Sequence, residues 1–182
     1  EIDFKKDGQV LKRRYFASQP GQVMVFEYTN SKKGQLNAVI ALQDAHGGEV
    51  KVTNGQLEFQ GVLSNGMKYA ARVEVQTVGG TLSGAKDETG KSILVVKSAD
   101  RLVLLLSAAT DYAPTRITQW KSVEDPVAAN ERHLSQAKKY GVNKLLARHI
   151  ADYTTLFNRI ELDLDHSQLD RQRTTKASLQ AY

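Results

Sequence analysis

Hydrophobic and polar residues alternate along much of the first 110 residues of this 182-residue chain. The alternation is regular over residues 68–77 and recurs over 57–60. A period of two places successive side chains on opposite faces of a strand, so each segment predicts a β-strand with one wet face. Pairs such as Asn54-Gly55 and Gly79-Gly80 stand between these segments and supply the positive φ of tight hairpins.

Two segments are apolar on both faces instead of one. They are "QVMVFEYT", residues 22–29, and "RLVLLLSAAT", residues 101–110. A strand of this kind lies inside a sandwich or beneath a second layer. Short strands with turn signals between them, and with no helical pattern separating them, predict a mainly β fold: an antiparallel β-sandwich, part of a super-sandwich, rather than a parallel α/β sheet.

The pattern changes after residue 110. Residues 111–125 have no period and contain Pro114 and the only tryptophan, Trp120, which predicts a connecting loop. Asp125-Pro126 is a helix start signal. The next helix has Val127, Asn130, Leu134 and Ala137 on one face, and it is predicted to end at Gly141.

A second helix is predicted to follow Gly141 and to carry an apolar stripe, with a returning strand after it over residues 158–165. We expect this stripe to be buried, against the sandwich or against another domain. The predicted organisation is therefore a sandwich over 1–110, a loop over 111–125, a two-helix linker with its strand over 126–165, and a polar tail over 166–182. The stripe residues are Leu145, His149, Tyr153, Leu156 and Phe157, flanked by Leu146 and Ile150.

Composition narrows the function classes. The net charge is +5, but basic and acidic residues are interleaved and no nucleic-acid motif occurs, so we expect no nucleic-acid partner. No apolar run approaches the length of a membrane span, and we expect no membrane partner. The chain has no cysteine, which excludes a disulfide framework. It begins at Glu1 and shows no signal-peptide pattern, so we expect a trimmed or internal piece of a protein.

Candidate chemistry is sparse. The four histidines have no ligand-like spacing, no activated serine motif occurs, and the acidic residues show no facing pair of the kind that glycoside hydrolysis needs. We therefore predict no metal, no cofactor and no catalytic residue. Asp111 and Tyr112 follow a buried strand at the mouth of the loop, where Asp111 is either a hydrogen-bonded corner or a ligand contact. Trp120 offers an apolar face to a sugar or to another domain.

Longer motifs suggest a family. "RRYFASQPGQVMVFEYTN", "LLLSAATDY" and "LLARHIADYTTLF" resemble, in order, segments of the N-terminal domain and linker of bacterial α-L-fucosidases of glycoside hydrolase family 95. In that family the linker leads to an (α/α)₆ barrel that carries the catalytic groups for inverting hydrolysis. No residue here matches those groups, and "RTTKASLQAY" departs from the family's proline-led helix start.

The resemblance implies a non-catalytic sandwich and linker that support a catalytic barrel in the same polypeptide. It further implies a fucosylated glycan as substrate of the whole enzyme and a periplasmic or secreted location. A chain without its barrel would expose a former interface and is expected to self-associate. The alternative is a stand-alone carbohydrate-binding sandwich, which the small number of aromatic residues, one Trp and seven Tyr, disfavours.

Overall fold

The computed structural model describes residues 1–161 and shows a mainly β chain with one long helix. Two compact units are present, Glu1–Asp152 and Tyr153–Tyr182, and residues 153–161 are the described part of the second. The elements, in order, are β1 Ile2–Lys6, β2 Gln9–Ser18, β3 Val23–Asn30, β4 Leu36–Ala41, β5 Lys51–Thr53, β6 Gln56–Val62, β7 Lys68–Val78, β8 Thr81–Lys86, β9 Ser92–Ala99, β10 Arg101–Thr110, a 3-10 helix Arg116–Thr118, and α1 Pro126–Phe157.

The strands form two antiparallel sheets. The larger has seven strands in the order β1-β2-β3-β10-β7-β6-β5, and the smaller has three in the order β4-β9-β8. Asn54 and Gly55, which join β5 to β6, both have positive φ (49° and 76°). This is the backbone of the hairpin turn that the Asn-Gly pair predicted.

β3 and β10, the two strands predicted to be buried on both faces, lie side by side at the centre of the large sheet. On one face of β10, Leu102 belongs to a core cluster shared with Leu36 of β4 and Leu94 of β9. On the other face, Val103 and Leu105 belong to a second cluster shared with residues of α1. Double burial is confirmed for β10, because the small sheet covers one of its sides and α1 covers the other. β3 is buried through Val23 and Val25 on the side of α1, whereas Met24 on its other face is 44% exposed.

Helix α1 starts as its sequence predicted. The backbone N–H of Val127 donates to Asp125 Oδ1 (2.9 Å), and that of Ala129 donates to the Asp125 carbonyl (3.0 Å), so Asp125 is the N-cap and Pro126 the first helical residue. Of the predicted inner face, Asn130, Leu134 and Ala137 are buried and Val127 is half-buried, while Ala129 is a further buried residue that was not predicted. Burial of this face holds the helix on the sheet.

The prediction of two separate helices is wrong, because the structure has a single helix with a kink. One helical element spans Pro126–Phe157, and only Gly141 inside it leaves the helical region (φ 71°, ψ 162°). Glycine lacks the Cβ that makes positive φ costly, so one residue absorbs the kink and no linker is needed. Residues 158–161, predicted to begin a strand, form a turn and irregular chain. The remainder of that predicted strand, and the predicted tail 166–182, lie outside the described residues.

Candidate functional site

Asp111 forms a corner at the end of β10. Its carboxylate accepts a hydrogen bond from the backbone N–H of Lys68 (2.8 Å), its own N–H donates to the Lys68 carbonyl (3.0 Å), and its carbonyl accepts from Ser122 N–H (2.6 Å). The residue is only 8% exposed. Of the two interpretations weighed above, these contacts favour the structural corner, because the carboxylate is already used to close the loop onto β7.

The loop after Asp111 is hydrogen-bonded across its base. Tyr112 and Lys121 form an isolated antiparallel bridge, and the N–H of Ala113 donates to the carbonyl of Trp120 (2.9 Å). The N–H of Trp120 donates back to the Thr115 carbonyl (3.0 Å). Gln119 and Trp120 both have positive φ, 52° and 64°, which is costly for residues with bulky side chains. The backbone bonds hold this conformation in place.

The side chains of Tyr112 and Trp120 meet on the outside of this loop. Their ring planes are 2° from parallel and their centroids are 6.4 Å apart. Tyr112 is 53% exposed and Trp120 is 52% exposed. The structure therefore brings two of the three predicted contact residues together as an exposed aromatic pair, while Asp111 lies beneath them in the backbone network.

The five predicted packing residues of the helix stripe have different surroundings. Leu145 is fully buried in the cluster between α1 and the large sheet, and His149 stacks on Phe16 with ring centroids 5.5 Å apart. In the second unit, Tyr153 stacks on Phe157 with centroids 5.2 Å apart. Tyr153, Leu156 and Phe157, and also Ile150, are each half exposed or more. The stripe was predicted to be buried against the sandwich or against another domain. Within this chain only Leu145 is buried, and burial of the exposed positions against another domain stays a prediction.

A polar network beneath α1 was not predicted. The Ser107 hydroxyl donates to Asn130 Oδ1 (2.9 Å) and lies 3.1 Å from His133 Nδ1, while Asn130 Nδ2 donates to the Ala70 carbonyl (3.0 Å). Burial, joined by the nearby charge of Arg132, lowers the pKa of His133, although Glu124 opposes the shift. The available signal was a polar residue, Asn130, on an otherwise apolar helix face. Ser107 and Asn130 are each 1% exposed, which makes the network structural.

A second missed arrangement centres on Asp44, in the "DAHGGE" turn. Its carboxylate accepts from the N–H groups of His46 (3.0 Å) and Gly48 (2.7 Å) and from the Tyr69 hydroxyl (2.7 Å). Burial raises its pKa, but these hydrogen bonds outweigh burial and hold the pKa of Asp44 below its usual value. His46, Phe59 and Tyr69 line an open depression of about 460 Å³ beside the turn.

The buried carboxylates of the described residues all have structural partners. Glu27 accepts from Arg14 Nε (2.8 Å) and Arg101 Nε (2.7 Å), and Glu74 pairs with Lys138 (3.1 Å). Asp44 and Asp111 accept backbone N–H groups, as described above. Within residues 1–161, no group of three or more His, Asp or Glu residues is placed to hold a metal ion. Over the same residues, no helix has both the length and the apolar character needed to cross a membrane.

The fold is a mainly β domain of two antiparallel sheets with one helix, and the buried acids of its described residues are used in structural contacts. Comparison with known proteins agrees, since a family model described as "Glycosyl hydrolase family 65, N-terminal domain" matches residues 1–115. The chain belongs to this family of N-terminal domains. The family number differs from the 95 that the motifs suggested, and what is shown is the N-terminal domain of a glycoside hydrolase.

One relative supports the same placement. The chain is 28% identical over 181 residues to "Alpha-L-fucosidase 2" of Arabidopsis thaliana, a match that covers 86% of this chain and 21% of that protein. The chain thus spans about a fifth of the length of this relative. The match extends well past residue 115, so it includes part of the loop and helix region as well as the strands.

Proposed function

We propose that this chain is the N-terminal sandwich and connecting helix of an α-L-fucosidase type of glycoside hydrolase, and that it supports the catalytic barrel of the same polypeptide. The observation that carries the proposal is the match to a fucosidase over most of this chain but only 21% of the relative. The chemistry of the reaction, an inverting hydrolysis of terminal fucosyl linkages, would then belong to the barrel. A periplasmic or secreted location is part of the proposal and is supported by the resemblance alone.

In this proposal the two sheets form a sandwich that is itself part of a larger one. The large sheet has seven strands and the small sheet three, so the small sheet leaves part of the large sheet's inner face uncovered. Tyr15 and Met24 on that face are 42% and 44% exposed. Helix α1 packs on the opposite face through Leu134, Ala137 and Leu145, which suits an element that passes from this domain to the next.

The proposal predicts no catalysis by the chain alone. Incubated with a fucosylated lactose, the purified 182-residue chain should release no more fucose than a buffer blank, because its described buried acids are committed to structural partners. The full-length polypeptide that carries this chain should release fucose under the same conditions. The specificity control is a substrate with a galactosyl group in place of the fucosyl group, from which less sugar should be released. Fucose release that follows the chain through repeated purification would contradict the proposal.

The alternative function, a carbohydrate-binding module, is favoured by one observation, the exposed Tyr112–Trp120 pair. Binding and support of a barrel are compatible in one domain.

A further inference from the structure

We propose that the parallel rings of Tyr112 and Trp120 form a stacking platform for one pyranose ring of a carbohydrate. We call this pair the aromatic platform. It would bind the sugar as an accessory site, without taking part in bond cleavage. The choice of a fucosylated ligand rests on the proposed function, whereas the platform itself is a property of the loop.

The geometry of the pair suits a flat ligand. Parallel rings that overlapped fully would have centroids about 3.5–4 Å apart, the contact distance of carbon atoms. The observed 6.4 Å at 2° therefore means that the rings are displaced sideways and that each keeps much of its face free. Together they present an apolar surface longer than one ring. The C–H face of a pyranose is apolar and similar in width to one ring, so it can stack on the free part of either ring.

The platform is held rigid before any ligand arrives. Below Tyr112, the Asp111 carboxylate fixes the loop to Lys68. Below Trp120, the backbone bonds to Ala113 and Thr115 fix two consecutive residues of positive φ. Strained backbone that the surrounding structure maintains is a feature of functional sites. A preorganised platform loses little conformational entropy when it binds, which matters for a ligand that makes few contacts.

The surroundings of the platform favour a carbohydrate over a protein partner. Lys121, the bridge partner of Tyr112, carries its ammonium beside the Asn65-Gly66 turn, 3.7 Å from the position that a Cβ on Gly66 would take. In the same loop, the hydroxyl of Thr110 accepts from the N–H of Tyr112 (3.3 Å) and the hydroxyl of Thr115 accepts from the N–H of Ile117 (3.3 Å), so each hydroxyl keeps its proton to donate. A short apolar surface bordered by hydrogen-bond donors matches a sugar, which has one apolar face and an equatorial belt of hydroxyls. It is small for a protein interface, which needs a contiguous patch of many residues.

The single tryptophan makes the proposal directly measurable. Because Trp120 is the only tryptophan in the chain, its fluorescence reports on the platform and on nothing else. Titration of the chain with a fucosylated lactose should change the intensity or the emission maximum in a saturable way, with a Kd of about 0.1–10 mM, the range of a weak single-ring contact. Sorbitol, a polyol without a ring face, should produce no saturable change.

Variants distinguish stacking on the platform from non-specific apolar binding to the loop. Tyr112→Ala keeps the fluorescent reporter and should weaken binding about three- to tenfold, since it removes one of two stacking faces. Ile117→Ala is the matched control, because Ile117 is an apolar residue of the same loop that is 93% exposed and outside the pair. It should leave the Kd unchanged. Trp120→Ala, measured by calorimetry, should abolish binding while the circular dichroism spectrum remains that of the parent chain.

Three results would overturn the proposal. The first is the absence of a saturable signal with the fucosylated lactose and with lactose. The second is an equal loss of affinity in Ile117→Ala and Tyr112→Ala. The third is shielding of Trp120 from acrylamide in the sugar-free full-length polypeptide, which would make the pair a contact with the catalytic domain. The fucose-release assay is a separate readout, so failure of the platform and failure of the fucosidase assignment are distinguishable.

Discussion

At the scale of single residues, polar groups add to the apolar packing that attaches the helix to the large sheet, and one of them fixes the loop. Ser107 of β10, Asn130 and His133 of α1 form one network, and Asp111 closes the loop onto β7. Without these hydrogen bonds, polar groups would be buried unpaired, which would destabilise the folded chain. The attachment of α1 is therefore expected to depend on the protonation state of this network.

His133 should make the stability of the chain depend on pH. Its pKa in the folded chain lies below the ordinary value of 6.5, so the unfolded chain takes up the proton first as the pH falls. The stabilising contribution is complete above pH 6.5 and is lost as the pH falls through the lower folded pKa. Denaturant unfolding should show a free energy of unfolding that declines as the pH falls below about 6.5.

His133→Gln should flatten that decline, because glutamine does not titrate. The exposed His46→Gln is the control and should preserve the slope. The carboxylate of Asp44 contributes in a different range, since its lowered pKa makes a contribution that is lost only as the pH falls below 3.8. A slope that is identical in the parent chain and in His133→Gln would show that the network does not sense protonation.

At the scale of elements, the helix α1 and the sheets differ in how far the sequence determines them. The burial of β10 on both faces could be predicted because its apolar pattern is continuous, whereas the same kind of pattern in β3 overstates the burial of Met24. The start of α1 could be predicted because Asp125 and Pro126 form a local signal. The continuity of α1 through Gly141 could not, since a glycine that ends a helix and a glycine that kinks one leave the same pattern in the sequence.

Packing of α1 on the large sheet should depend on Leu145 and not on Leu156. Leu145 is 0% exposed, and a Cβ added to Gly21 would lie 2.9 Å from its Cδ2, so the site is tightly filled. Leu145→Ala should lower the free energy of unfolding by about 2–5 kcal/mol. The same substitution at Leu156, which is 57% exposed on the same helix, should change it by no more than about 0.5 kcal/mol. Chemical denaturation of both variants provides the comparison, and equal costs would mean that α1 packs differently from the arrangement described.

At the scale of the whole molecule, the candidate site illustrates what local patterns leave out. Tyr112 was singled out because it follows a buried strand, and Trp120 because it is the only tryptophan and offers an apolar face. Their pairing depends on a bridge and on two residues of positive φ that no short pattern specifies. The network of Ser107, Asn130 and His133 joins residues more than 20 apart in the sequence. Tertiary contacts of this kind follow from the register of β7 and β10 and from the seating of α1.

The uncovered part of the large sheet should make the isolated chain self-associate. Tyr15 of β2 pairs with Phe26 of β3, and Met24 of β3 pairs with Ala17 of β2. The β10 residues that pair with Phe26 and Met24 pack against the core between the sheets. Tyr15 and Met24 therefore lie on the inner face of the large sheet. Apolar surface of this kind favours association, whereas the net charge of +5 opposes it. Added salt screens the charge and should therefore strengthen association.

Sedimentation velocity over a wide concentration range measures the self-association of the chain. Substitutions on the inner face and on another surface show which surface is responsible. Met24→Glu places a charge on the inner face and should shift the chain toward monomer. Val39→Glu is the matched control, since Val39 is 66% exposed but lies on the small sheet outside that face. It should leave association unchanged apart from the common effect of a lower net charge. A chain that stays monomeric at every concentration and salt level would show that the inner face is stable in water without a covering partner. That result would weaken the proposal that the two sheets are part of a larger sandwich. It would not affect the fucose-release and platform experiments.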